Sequence, residues 1–290
     1  MRYVIDQETL LVFPHAVREH HCELRLLPTD SPAQRIETAH LAVEPAAVLG
    51  SHIDYFGNRV HHCDLVAPHT QLAARLHVEV ETLLGNPFDY RILSPQHEGT
   101  WLAGTLKAQP QLWDYVLHRS PATPEIVPRE GEGPDWPRYD PQRPLLESID
   151  AAREWIADTL VYEAGEPHDS LEAVLAAGAG SATDFAHVFI TLVRSWRCAA
   201  RFVRGYIDPE NFDQDSGAML PHAWAEVLIP GAGWRGFDPT TRLVVNDTYV
   251  AVTVGRDSHD VSLQRSTFKG GDPAVVPQVS LRVFRESAQQ

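Results

Sequence analysis

The sequence predicts an α+β fold: an N-terminal antiparallel β-sandwich module, followed by a core in which a buried helix packs on an antiparallel sheet. Three observations predict it. Up to about Leu84, short runs alternate polar and apolar residues with a period of two. From Pro121 to Pro144 the chain is crowded with proline, glycine and charge. Beyond that stretch a strongly apolar helical segment, about Thr183 to Arg197, is followed by a series of strand-like runs. The expected organisation is therefore a β-rich module over residues 1–85, a connecting segment over 86–144 with a Pro/Gly-rich loop, and the core over 145–290.

In the first module, Glu23-Leu24-Arg25-Leu26 and His40-Leu41-Ala42-Val43-Glu44 alternate as half-buried strands do. Asp54-Tyr55-Phe56-Gly57-Asn58-Arg59-Val60 carries a Gly-Asn turn signal between an aromatic run and a further strand. Leu72, Ala74, Leu76, Val78 and Val80 share one face of another strand. In the core, Leu145, Ile149, Ala152, Trp155, Ile156 and Leu160 fall at helical spacing. A short helix is expected over about Ser170 to Ala176 with Asp169 as its N-cap. Phe185, Ala186, Phe189, Ile190, Leu192, Val193 and Trp196 surround most of the next helix, which is therefore central and buried. Strands are expected over Ala200 to Ile207, Ala223 to Ile229, Gly233 to Phe237 and Tyr249 to Val254, with a last pair near Ser266-Thr267-Phe268 and Val279 to Phe284.

Composition narrows the function classes. The 290 residues are 43% hydrophobic and 22% charged, globular values with enough apolar material for a core. With 24 basic against 39 acidic residues the formal net charge is −15, which argues against nucleic acid or an anionic membrane surface as partner. Cys22, Cys63 and Cys198 are too few for a disulfide framework and suit a reducing compartment. Met1-Arg2-Tyr3-Val4-Ile5-Asp6 lacks a basic-then-apolar leader, and no apolar run approaches the ~18 residues of a membrane span. The cytoplasm is the expected location.

The chemistry concentrates at one helix start. Gly178, Gly180 and Ser181 precede position 182, whose side chain would project from a turn into the positive end of the buried helix. A free thiol, with a pKa of roughly 8.5, needs such a helix end and a proton-accepting histidine to react as thiolate. His222 starts one strand and Asp238 ends another. On adjacent strands the aspartate would orient the imidazole and fix its tautomer. Taken singly, a histidine is usually structural and an Asp-Pro usually a turn. Their order, after a small-residue turn and a buried helix, is more specific.

In these motifs the chain resembles the bacterial transglutaminase-like family of papain-related thiol enzymes. Gly180-Ser181-Ala182-Thr183-Asp184-Phe185-Ala186-His187 is similar to the family's nucleophile segment, with alanine where the family has cysteine. His222-Ala223-Trp224-Ala225-Glu226-Val227 and Gly233-Trp234-Arg235-Gly236-Phe237-Asp238-Pro239-Thr240 resemble its histidine and aspartate segments. Arg204-Gly205-Tyr206 and Val254-Gly255-Arg256-Asp257 look like further landmarks, and Leu24 to Pro28 with Asp54 to Asn58 resemble its N-terminal β module. The resemblance implies that Ala182 occupies the nucleophile's position, His222 is the general base and Asp238 the orienting acid. It implies a peptide or amide substrate attacked through a thioester, no cofactor, and an oxyanion held by the backbone N–H at 182 and one more donor. Tyr206 and Trp224 are candidate walls of the substrate cleft, although aromatic residues in strands are more often core.

Alanine has no nucleophile. Two origins account for Ala182: an engineered cysteine-to-alanine change in an otherwise intact enzyme, or a natural paralogue that keeps the cleft for binding. The intact His222, Asp238 and Trp224 favour the first. Cys198 cannot substitute, since sixteen helical residues place it about 24 Å away. His20-His21-Cys22-Glu23 and His61-His62-Cys63-Asp64 contain zinc-ligand types. Adjacent strand residues point to opposite faces, so a structural reading is preferred and no metal is expected. Gly178-Ala179-Gly180-Ser181 lacks the lysine of a phosphate-binding loop.

Overall fold

The computed structural model describes residues 1–127, 134–211, 220–271 and 275–286. Most of the Pro128 to Pro134 run and Met219 lie outside these residues. The chain begins with the 23-residue strand β1 (Arg2–Leu24), followed by β2 (Gln34–Glu44), β3 (Gly50–Ile53), β4 (Arg59–Leu65) and β5 (His69–Thr82). All pair antiparallel in the order β2-β5-β1-β4-β3. The first half of β1 pairs with β5 and its second half, His20 to Leu24, with β4. A register shift between Val12 and Val17 marks the bend that lets one strand serve both partners and curls the sheet. Leu72, Ala74, Leu76, Val78 and Val80 are all buried, as their alternation predicts. The Asp54 carboxylate closes the β3–β4 turn by accepting the N–H groups of Phe56 and Asn58, both at 2.9 Å.

The connecting region forms α1 (Pro95–Ala108) and the single turn α2 (Asp114–Leu117). The flanks of the Pro/Gly-rich stretch are packed rather than loose: Ala122 and Trp136 are buried, and the carbonyl of Pro121 accepts the N–H of Leu171. The core continues with α3 (Leu145–Thr159), β6 (Val161–Tyr162), α4 (Leu171–Ala177), β7 (Ala179–Gly180) and α5 (Ala182–Ser195). Ser170, not Asp169, caps α4: its hydroxyl accepts the N–H of Ala173. β8 (Ala200–Ile207), β9 (His222–Ile229), β10 (Gly233–Asp238), β11 (Leu243–Val244) and β12 (Tyr249–Gly255) form an antiparallel sheet in the order β11-β10-β9-β8-β12. Every residue of α5 from Thr183 to Arg194 is buried. Its apolar side chains share a core with Phe202, Ala223, Ala225 and Val227 of the sheet, so the expected helix-on-sheet arrangement is present.

The chain ends do not divide where composition changes. β13 (Gln264–Lys269) and β14 (Gln278–Arg285) return to the first module and pair antiparallel with the two halves of β1. The two sheets are also tied by buried amides. Gln34 donates to the Ala251 carbonyl and accepts the Ala251 N–H (2.7 and 2.8 Å), and Asn58 does the same at Val254 (2.8 and 2.7 Å). These side chains act as peptide groups along the outer edge of β12, satisfying an edge strand that would otherwise be unpaired.

Candidate active site

The turn before α5 is built by a carboxylate. Asp184, buried in the first turn of the helix, accepts the Ser181 N–H and the Ser181 hydroxyl, both at 2.8 Å, and the His168 N–H at 2.9 Å. The Ser181 hydroxyl in turn accepts the Asp184 N–H, a reciprocal capping box. Gly180 is required here because a Cβ would sit 2.8 Å from the Cβ of Asp184. The glycines are therefore not all in one tight turn. Gly178 ends α4 in the left-handed region, with φ of 65°, and Ala179–Gly180 form β7, which pairs in parallel with β6. The cap holds Ala182 as the first residue of the helix, ahead of the capped N–H, where helix N–H groups lack intrahelical partners.

β9 and β10 are neighbours, and His222 and Asp238 meet between them. His222 Nε2 donates to Asp238 Oδ2 at 2.7 Å, with both side chains buried; the donor must be the imidazole because the carboxylate only accepts. The same Oδ2 accepts the hydroxyls of Thr241 and Tyr249 at 2.8 and 2.9 Å, while Oδ1 accepts the N–H groups of Thr240 and Thr241 at 2.9 and 3.4 Å. Burial pushes the Asp238 carboxyl up, but the charge and hydrogen bond of His222, with the Thr241 and Tyr249 hydroxyls, more than offset this and hold it below the ordinary carboxylate range. Nε2 is the ring nitrogen that faces Asp238, and Nδ1 is the other.

Ala182 and His222 line one cavity of about 690 Å³, shared by Ser181, Thr183, Tyr162, Arg204 and a 164–167 loop. Thr9 of β1 and Val279 of β14 also reach it, so the N-terminal sheet supplies part of the wall. Neither hydroxyl beside Ala182 is set as a substitute nucleophile. Ser181 donates to Asp184, and Thr183 accepts from Arg204 Nη2 at 3.3 Å.

Tyr206 and Trp224 are not among the residues lining this cavity. Tyr206 is buried between the sheets and donates to Gln7 Oε1 at 2.8 Å. Trp224 is buried beside the ring of His222 and edge-on to Tyr249, where it backs the site rather than walls it. Cys198 is buried, with its thiol pushed up to about 12 by burial, the opposite of activation. The His/Cys segments of β1 and β4 do lie on paired strands, in the register His21↔Asp64, Cys22↔Cys63 and Glu23↔His62. Alternation sends Cys22 and Cys63 into the core, while His21 and Asp64 pair outside. Among the described residues no three His, Cys, Asp or Glu side chains converge as metal ligands. Of the residues that build the site, Asp184 had a readable signal, the Ser-x-x-Asp spacing of a capping box. Thr241 and Tyr249 had none that singled them out, and Arg204 stood out only as part of the Arg204-Gly205-Tyr206 landmark, not as a cavity residue.

A helix N-terminus against a buried His–Asp pair on an antiparallel sheet is the arrangement implied by the resemblance to the transglutaminase-like class, a class of cysteine-dependent hydrolases and acyltransferases. Comparison with known proteins agrees. Residues 3–81 match the bacterial transglutaminase-like N-terminal region and residues 138–239 the transglutaminase-like superfamily core. The uncharacterised protein ML0607 of Mycobacterium leprae is 30% identical over 254 residues, 86% of each chain. The uncharacterised protein Rv2569c of Mycobacterium tuberculosis is 28% identical over 297 residues, 97% of this chain and 92% of that one. A solved structure from Cytophaga hutchinsonii, described as a candidate cysteine protease, superposes with a TM-score of 0.69 at 18% identity, over all of this chain and 92% of its own. The chain belongs to the bacterial transglutaminase-like family.

Proposed function

We propose that the cavity is the acyl-transfer site of a cysteine-dependent amide hydrolase or acyltransferase, with position 182 as the nucleophile's place, His222 as general base and Asp238 as orienting acid. In this chain Ala182 leaves the site able to hold a peptide-like substrate but not to form a thioester. The observation that carries the reading is the 2.7 Å His222–Asp238 hydrogen bond, whose histidine lines the same cavity as the first residue of a capped helix. In a thiol-bearing relative, Nδ1 would take the thiol proton, the thiolate would attack the amide carbonyl, and the imidazolium would protonate the leaving amine. The N–H at 182 would face the oxyanion. Hydrolysis is favoured over crosslinking, which requires an amine to enter while water is kept out. An engineered Ala182 and a natural binding paralogue predict the same geometry; the codon for residue 182 in the genomic gene separates them.

The cytoplasm remains the proposed location. Three buried, free cysteines support it, two of them directly opposite on paired strands. No helix among the described residues is long and apolar enough to cross a membrane.

The test is Ala182→Cys labelled with iodoacetamide at pH 6. A free thiol is about 0.3% ionised there, whereas a thiol of pKa near 6 is about half ionised. After allowing for its lower intrinsic nucleophilicity, the introduced thiol is expected to react about tenfold faster than a free thiol. The advantage is expected to vanish in a His222→Ala background. Labelling no faster than a free thiol refutes the assignment.

A further inference from the structure

The cavity carries a charge that the proposed chemistry does not use. Arg204 of β8 is the lysine or arginine on its wall among the described residues. It lies opposite Ala223 of β9, the residue after His222, and opposite Thr253 of β12. Its Nη2 reaches Thr183 Oγ1, so the guanidinium stands beside the residue that follows position 182. Its Nε is enclosed and makes no hydrogen bond among the described residues. Glu166, the carboxylate on the same wall among the described residues, is solvent-exposed and not in ion-pair contact with it. Burial lowers the pKa of the guanidinium and the Glu166 charge raises it, while among the described residues no carboxylate makes an ion pair with it. A partly desolvated arginine is costly unless an anion meets it, and its planar fork matches a carboxylate.

We propose that Arg204 is a specificity-determining residue of this cleft, which receives a substrate carboxylate close to the amide carbonyl facing position 182. The proposal rests on the acyl-transfer reading of the cavity and names its substrate class: peptides bearing either an acidic side chain or a free C-terminal carboxylate next to the target amide. Both sources present the same group to the guanidinium.

Two measurements test it. On the Ala182→Cys chain, the rates of alkylation by iodoacetate and by iodoacetamide are compared; the ratio reports a cation beside the thiol. The ratio is expected to be about tenfold higher than in the same chain carrying Arg204→Gln, with Arg204→Lys between them. On the unaltered chain, blocked tetrapeptides differing only as Glu against Gln, and tetrapeptides differing only as C-terminal acid against amide, are titrated calorimetrically. The carboxylate member of one pair is expected to bind about 10- to 100-fold more tightly, the range for a hydrogen bond to a charged group. The pair that shows the preference identifies the source. Equal ratios with and without Arg204, and no carboxylate preference in either peptide pair, overturn the proposal. Fast, His222-dependent iodoacetamide labelling without anion preference refutes the carboxylate subsite alone. Anion preference with slow labelling refutes the acyl-transfer assignment and leaves the subsite standing.

Discussion

Asp238 offers the most direct test of how the site is held together. Its carboxylate accepts five hydrogen bonds, from His222, the Thr241 and Tyr249 hydroxyls and the N–H groups of Thr240 and Thr241. Asp238→Ala strands all of these donors in a fully buried place. A buried unsatisfied donor costs about 1–3 kcal/mol. The costs do not add, because the donors can turn to one another and water can enter the void, so the expected loss is about 3–5 kcal/mol rather than the full sum. At about 2–4 °C per kcal/mol this lowers the melting temperature by roughly 10 °C. Asp238→Asn keeps the shape but turns one acceptor into a donor. Whichever way the amide is set, at least one donor faces an NH2 group, and the expected loss is about 2–3 kcal/mol.

The pH dependence has a defined sign. The folded-state pKa of Asp238 is lowered relative to the unfolded one, near 3.9. Its stabilisation is therefore complete above the unfolded pKa and is lost as pH falls through the folded one. Urea unfolding of the unaltered chain and Asp238→Asn should show a gap at pH 7 that narrows as pH falls below about 4. Equal stability at pH 7, or a gap that widens as pH falls below about 4, refutes the account of Asp238 as a charge retained by its donors.

Two further substitutions probe the frame around the site. Gly205→Ala would place a Cβ 2.1 Å from the Val250 carbonyl oxygen and 2.7 Å from the Trp224 ring, so backbone must move; a loss of about 3 kcal/mol or more in denaturant unfolding is expected, the upper end of overpacking costs, and a loss below 1 kcal/mol contradicts the close approach. Arg194 is buried at the end of α5 and donates to the carbonyls of Tyr115, Ala200 and Arg256. Arg194→Met should cost about 3–5 kcal/mol in calorimetric unfolding and speed amide exchange in the segments it ties, because those acceptors lose their partner; unchanged exchange there would show that they are held by other means.

Much of the site is legible in the sequence. His222, Asp238 and position 182 can be placed because each sits at the junction of a strand or helix with a turn, and such junctions leave local traces in glycine, proline and capping residues. The helix-on-sheet core is legible for a similar reason: α5 is apolar around its circumference, and the following strands carry β-branched and aromatic residues. The cleft walls are not. Tyr206 and Trp224 have the composition of a binding surface and of a core alike, and only packing shows that both are core. Arg204 looks like part of a landmark motif; its opening into the cavity depends on where α5 crosses β8.

The sequence by itself determined most strands of both sheets, the helices α3 to α5, their order and the family, because hydrophobic period, caps and turn residues are local properties; it did not show that the connecting segment holds α1 and α2. It also determined that a thiol is absent at position 182, since that is a matter of one residue's identity. The tertiary structure decided everything that depends on long-range pairing. It brought β13 and β14 back to β1, seated the Gln34 and Asn58 amides on the edge of β12, and surrounded Asp238 with donors from a turn and another strand. Contacts between residues far apart in the chain leave no periodic signal, since any one of many side chains could supply a buried donor, and folding alone selects which one does.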